Sequence, residues 1–226
     1  MNSQNNKFYF LFLIAGLLVN AAANGQKTAG AIDLVGLAKK NGFTVINRSL
    51  TVLPNGGRPG VRLEQQDADA GFAWLANSTF SRGTIEFDAR GKDVFQRSFL
   101  GIAFHATDEK QYDAIYFRPF NFRAEDPVRH RHAVQYISIP GYDWPTLRKD
   151  HPDQYENAIN PAPEPNDWFH ARIVVDNEII SVFVNDNVNP SLSVKKLNDR
   201  KEGKIGLWVG SGSGGDFANL KITPVR

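Results

Sequence analysis

Hydrophobic and polar residues alternate with a period of two through residues 83–122, and the alternation predicts three consecutive antiparallel strands. Ile85, Phe87 and Ala89 alternate with Thr84, Glu86, Asp88 and Arg90. Residues 99–105 and 112–118 read as a hairpin closed by the polar turn ATDEKQ. With His105 opposite Tyr112, one face of this hairpin carries Leu100, Ile102, Phe104, Ile115 and Phe117 and is expected to be core. Successive side chains on a strand point to opposite faces. The second face therefore carries Gly101, Ala103 and His105 beside Tyr112, Tyr116 and Arg118. Small residues leave room above the backbone, and the larger neighbours supply a stacking plane and hydrogen-bond donors. Such a surface suits a sugar; ordinary cross-strand pairs on a solvated face are the plainer alternative.

The rest of the chain extends this pattern. Residues 31–40 have the makings of one or two helical turns, stopped by Asn41-Gly42. Short strands are expected at 43–47, 49–53, 61–65 and 72–76, with a turn at 54–57. Between 121 and 167 the texture changes: Pro127, Pro140, Pro145, Pro152, Pro161, Pro163 and Pro165 all fall there, and only 133–138 reads as a strand. Tyr136, Tyr142, Trp144 and Tyr155 in that stretch point to an ordered wall or lid beside the polar sheet face. Residues 168–175 and 179–185 predict a hairpin, apolar on both faces and buried between layers. In 204–210 (KIGLWVG), Ile205, Leu207 and Val209 face one way and Trp208 the other. A flexible Gly-Ser run at 211–215 precedes a last strand at 217–222. Trp74 and Trp168 are assigned to the core, and no long amphipathic helix is present. The class is all-β, with strands at the intervals of a sandwich or barrel.

Composition changes the picture in three places. Residues 1–23 have the layout of a removable leader, with Lys7, an apolar run from Phe8 to Val19 and small residues at Ala21-Ala22-Ala23. That implies a secreted or periplasmic protein with no membrane contact after cleavage, a lead-in over 24–42 and one domain over 43–226. The chain has 26 lysines and arginines against 24 acids; setting Lys7 aside leaves 25 against 24, which offers nothing to nucleic acid or an anionic membrane. Cysteine is absent, which excludes disulfides, thiolate metal sites and a cysteine nucleophile.

The runs GTIEFDAR, SFLGIAFH, WFHARIVVD, VFVN, GKIGLWVG and FANLKI, in that order, resemble the concanavalin A-like lectin/glucanase superfamily. More narrowly, they are similar to secreted bacterial jelly-roll domains described as laminin-G-like or 3-keto-disaccharide hydrolase-like. The resemblance spans residues 43–226 and implies an all-β, two-sheet antiparallel jelly-roll β-sandwich with a carbohydrate site on the concave face. It also suggests a structural calcium site where the SGSGGD run ends at Asp216. A plain Gly-Ser loop with a turn aspartate is the reading the residues themselves favour.

Catalysis is harder to place. Retaining glycosidases need two carboxyl groups about 5 Å apart, and the superfamily's glucanases supply them from one strand as Glu-x-Asp-x-Glu or Glu-x-Asp-x-x-Glu. Here Glu86 and Asp88 give only the first half, with Arg90 and Gly91 at the last position, so both read as solvated or salt-bridged strand residues. His130-x-His132 reads as a surface pair on a strand rather than a metal pair. The expectation is an exported carbohydrate-active protein that binds a glycoside through Tyr116, Gln135, Tyr142 and Trp144. If it also cleaves or eliminates the glycoside, His105 is the base and Arg118 the oxygen-stabilising cation. A non-catalytic glycan-binding module or an interaction domain is the alternative.

Overall fold

The computed structural model describes residues 30–225. The leader expected over 1–23 and the start of the lead-in lie outside the described residues. Two seven-stranded antiparallel sheets form a jelly-roll sandwich. Sheet A is built from β1 (Phe43–Ile46), β4 (Gly71–Phe80), β6 (Leu100–Asp108), β7 (Gln111–Phe117), β8 (Val134–Ile139), β9 (Glu156–Asn157) and β13 (Gly203–Val209). Sheet B comprises β2 (Leu50–Val52), β3 (Gly60–Leu63), β5 (Gly83–Arg90), β10 (Phe169–Val175), β11 (Ile179–Val184), β12 (Leu192–Lys195) and β14 (Gly215–Pro224). Their spatial orders are β1-β4-β13-β6-β7-β8-β9 and β12-β11-β10-β5-β14-β3-β2.

Strand parity fills the space between the sheets. Ile102, Phe104, Ile115 and Phe117 from sheet A meet Ile85, Phe87, Phe169, Ile173 and Phe217 from sheet B, all essentially inaccessible to water. Phe117 sits edge-on to Phe169 at 4.9 Å between ring centroids. Each such side chain gains about 1.5–3 kcal/mol from burial. The β6–β7 register matches the alternation from Leu100↔Phe117 to Phe104↔Asp113 and then slips. The slip is a bulge at His105, whose backbone takes φ 51°, so His105 leaves the face the alternation assigned to it. β10 differs from expectation as well. Phe169, Ala171, Ile173 and Val175 are buried while His170, Arg172 and Val174 are half-exposed, so only one face of that hairpin is covered.

The lead-in is part of the fold. Asp33 caps α1 (Leu34–Lys39), Leu34 is buried, and the Ile32 N–H donates to the Leu220 carbonyl. Asn41, at φ 55°, follows the helix as its sequence signal indicated. The Gly-Ser run is pinned rather than loose. Arg48 donates from Nε to the Ser213 carbonyl (2.9 Å) and from Nη2 to the Gly210 carbonyl (2.7 Å), and Ser213 is fully buried.

The proline-rich segment is ordered and carries more structure than one strand. Asp126 caps α2 (Pro127–Arg131), and a Pro at its first position suits a helix start. His130 therefore lies on a helix and His132 at its C-cap, not on one strand face. Asp143 caps α3 (Trp144–Asp150), accepting from Thr146 N–H at 3.0 Å. A bridge between Ser138 and Tyr142 and the pairing of β8 with β9 fold this segment back over sheet A.

Candidate functional site

The outer face of sheet A, turned away from sheet B, carries a second hydrophobic cluster that includes Phe72, Trp74, Ala103, Tyr112, Tyr116 and Trp208. Alternation places them there: Gly101 and Ala103 on β6 leave space that the rings of β4, β7 and β13 fill. Phe72 stacks on Trp74 at 4.7 Å, Tyr112 meets Phe72 edge-on at 5.2 Å, and Tyr116 lies 4.9 Å from Trp208. Gly101 has to be glycine, because a Cβ there would lie 2.0 Å from the Ile115 carbonyl oxygen.

At one end of this aromatic row is a buried polar relay. The Tyr116 hydroxyl donates to Gln135 Oε1 at 2.7 Å. Arg118 Nη2 donates both to the Tyr116 hydroxyl and to Gln135 Oε1, and Arg118 Nη1 reaches Glu156 Oε2 at 3.4 Å and the His132 carbonyl at 3.0 Å. Arg148 grips Glu156 through both oxygens at 2.7 and 2.8 Å, and His132 Nε2 stands 3.3 Å from Glu156 Oε1. The Arg148 guanidinium also lies over the Trp144 ring, 5.0 Å from its centroid, and Trp144 is 50% exposed. The relay thus runs without interruption from an exposed indole to the buried aromatic row.

Its electrostatics follow from burial. Loss of water pushes the Tyr116 phenol up to about 12, against the pull of Arg118, so Tyr116 stays a neutral donor. Burial lowers Arg118, with neighbouring Arg148 lowering it further and Tyr116 and Glu156 opposing. His132 is also lowered, by desolvation first and despite Glu156, which keeps its imidazole neutral at pH 7. Trp208 Nε1 is directed at the Tyr112 hydroxyl, which leaves Gln135 Nε2 as the donor of this region with no partner among the described residues. Gln135 Oε1 already accepts from Tyr116 and Arg118, so the amide orientation is fixed. Buried N–H groups rarely go unpaired, and each needs an acceptor from water or a ligand.

Tyr116, Gln135 and Arg118 are therefore brought together, with Tyr142 and Trp144 on the segment above them. They do not line an open trough. Leu147 of α3 packs into the same cluster, and Tyr116 and Arg118 are only 2% and 3% exposed. Parity does turn them away from the core, but the proline-rich segment covers them. Both terminal nitrogens of Arg118 are engaged with protein groups, which makes it a positioning partner of Tyr116 and Gln135.

His105 is somewhere else. The bulge turns its ring against Phe80, 6.0 Å between centroids, with Nδ1 3.1 Å from Asp113 Oδ2 and Nε2 2.6 Å from the Ser81 carbonyl. Both ring nitrogens face protein acceptors and the residue is wholly buried, which keeps the ring away from any bound molecule. Asp113 lies five residues before Arg118 on β7 and its end, about 17 Å at strand spacing, so His105 and Arg118 do not share a site.

Asp216, the expected calcium position, has its carboxylate taken up by arginines: Arg62 spans both oxygens and Arg90 donates twice to Oδ2, and two guanidiniums repel a cation. No group of three metal-ligating side chains occurs among the described residues. Asp88 pairs with Arg58 and His170, and Glu86 with Lys221, as salt-bridged strand residues. Trp168 is not core: it is half-buried, with the guanidiniums of Arg58 and Arg90 5.1 and 4.9 Å from its centroid. Alternation alone did not identify Glu156, Arg148 and His132 as one cluster, because they lie on separate elements brought together only by the fold-back of 140–157.

Comparison with known proteins fits this architecture. The family described as the 3-keto-alpha-glucoside-1,2-lyase-like domain matches residues 22–223. The chain belongs to it. This lyase-like domain is similar in structure to the carbohydrate binding module CBM66 from Bacillus subtilis, with a TM-score of 0.57 at 16% identity, covering 80% of this chain and 96% of that one. A protein of unknown function with a galectin-like fold, also from Bacillus subtilis, aligns with TM-score 0.58 at 12% identity over 88% of this chain and 97% of that chain. The potassium-bound carbohydrate recognition domain of Emp46p aligns with TM-score 0.51 at 14% identity over 88% and 98%. At these identities what is shared is the fold. No curated protein matches the chain.

Proposed function

We propose that this domain binds a carbohydrate on the outer face of sheet A, at the rim formed by Tyr142 and Trp144. The observation that carries this reading is the buried, unpartnered amide nitrogen of Gln135 beside Tyr116. A sugar needs a flat apolar surface for its C–H face and fixed donors for its oxygens. Trp144, held from one side by Arg148, is the platform, and the relay through Glu156 and Arg118 fixes the Gln135 donor. The segment over 140–157 has to shift for a sugar oxygen to reach it. Sugar-binding neighbours of the same fold support the ligand class. The reading is tested by titrating mono- and disaccharides into wild type, Trp144→Ala and Gln135→Leu. Either substitution is expected to weaken binding at least about tenfold, the scale of one stacking contact or one buried hydrogen bond; wild-type affinity in both sinks it.

One observation favours an added catalytic reading. His132 is partly exposed, kept neutral by burial and backed by the Glu156 carboxylate, the setting of a general base. On a glycoside carrying a ketone at C3, the proton at C2 is acidic. His132 would take that proton to give an enolate, whose electrons re-form the C3 ketone and make a C1–C2 double bond as the C1–O bond breaks, the leaving oxygen taking the proton back from His132. The family description supports this chemistry. His132→Gln is then expected to abolish release of the leaving group from a 3-keto-glucoside while leaving its binding unchanged; turnover at the wild-type rate rules the role out.

The leader-like layout of 1–23 supports export as the setting for both readings. A mature N-terminus that still begins at Met1 would count against it.

A further inference from the structure

The end of the sandwich where β5 runs out and β6 begins holds a cleft of about 270 Å³. Its floor is a cross-strand triad. Arg62 on β3 donates from Nε and Nη2 to the two Asp216 oxygens at 2.6 and 3.0 Å, and Arg90 on β5 donates from Nε and Nη2 to Oδ2 at 3.0 and 2.7 Å. One carboxylate, 5% exposed, thus faces two guanidiniums and leaves one positive charge uncompensated. The Nη1 group of each arginine makes no hydrogen bond among the described residues. Lys92 and Arg97 add two further cations to the wall. The carboxylate nearest Arg97, that of Asp67, is 3.5 Å away and 95% exposed, a pairing worth little in water. The other acid in the wall, Glu64, accepts from Thr51 at 2.7 Å. Arg62, Arg90, Lys92 and Arg97 against Asp216 and Glu64 leave an excess of two positive charges in a concave site, where low-dielectric walls concentrate the field.

We propose that this cleft binds an oxyanion, a carboxylate or a sulfate group, either free or carried on a sugar. The chemistry inverts the calcium expectation for the same loop. Asp216 holds the two guanidinium planes in place instead of binding a cation, and the spare N–H donors of such forks match the paired oxygens of a carboxylate or sulfate. The volume, near the small end of ligand pockets, admits one acidic monosaccharide. This site is separate from the face that carries Trp144.

Calorimetric titration of the full chain at low ionic strength with sodium sulfate, glucuronate and glucose tests the proposal. Sulfate or glucuronate is expected to bind, and added sodium chloride to weaken that binding. The rim variant Lys92→Gln/Arg97→Gln, at two exposed positions, should keep the wild-type melting temperature and lose at least about tenfold in anion affinity. Glucuronate binding tighter than sulfate would mark the group as sugar-borne; equal affinity would mark a bare oxyanion. Glucose affinity should not change in the rim variant, and anion affinity should not change in Trp144→Ala, so the two sites succeed or fail separately. Absence of binding by both anions, or wild-type anion affinity in the rim variant, overturns the proposal.

Discussion

Asp113→Ala is expected to cost the fold about 3–5 kcal/mol, the scale of removing one partner from a buried ionic network. Asp113 is inaccessible to water, and its Oδ1 accepts from Tyr136 Oη at 3.0 Å, Asn198 Nδ2 at 2.6 Å and Arg200 Nη2 at 2.8 Å, while Oδ2 faces His105. Alanine would take an acceptor from all four partners and leave Asn198 and Arg200 only Ser138 Oγ and the Ile139 carbonyl nearby, and Arg200 Nε is already without a partner among the described residues. The network holds the link between β12 and β13 to the far end of sheet A, so that loop should loosen first. Urea midpoints of wild type and variant measure the effect; a shift equivalent to less than about 1 kcal/mol would show the network to be dispensable.

The same residue sets part of the acid limit of stability. Burial alone would raise Asp113, but His105, Arg200 and Ser138 outweigh it and hold the carboxyl below its ordinary value of 3.8. A depressed carboxyl contributes stability that is complete above its unfolded-state pKa and is lost as pH falls through the folded one. His132, lowered from 6.5, acts earlier. Below pH 6.5 the unfolded chain takes up its proton and the folded chain does not, so stability declines from there downward. The expected profile falls in two stages, and Asp113→Asn should remove the more acidic one.

Glu156→Gln has the second largest expected effect, about 3 kcal/mol of stability. Glu156 is 4% exposed and is the one carboxylate set against Arg118, Arg148 and His132. Glutamine keeps the shape but offers a single acceptor oxygen and no charge, so the buried Arg118 loses its counter-ion. Amide exchange should then rise over 140–157, because Arg148 no longer anchors α3. The His132 pKa should fall further, since the Glu156 charge is what props it up. An unchanged midpoint together with unchanged exchange would mean that the latch over the outer face lies elsewhere.

What could be read from the residues was set by locality. Alternation identified the core face of the β6–β7 hairpin residue by residue, and the register from Leu100↔Phe117 to Phe104↔Asp113, because each strand carries its own two faces in its own letters. It also turned Tyr116 and Trp208 to the other side correctly. The bulge at His105 was not legible, since nothing in the alternation through residue 105 marks where the period breaks. The caps Asp126-Pro127 and Asp143-Trp144-Pro145 were legible helix starts, obscured by the density of prolines around them. The relay of Arg118, Glu156 and Arg148 and the network of Asp113 and Arg200 join residues up to 87 positions apart. No periodicity within a strand encodes such meetings. The Asp216 loop shows the same limit: Gly and Ser describe the turn, while the arginines that decide its charge come from β3 and β5.

β14, the final strand, runs between β5 and β3 in the middle of sheet B. Removing it would split that sheet into two pieces, each with a raw edge. Sheet B therefore cannot close until β14 has been made, and residues near 85 must wait for residues near 222. Contacts of that span make folding slow. A chain with this connectivity stays open along that seam until the strand arrives.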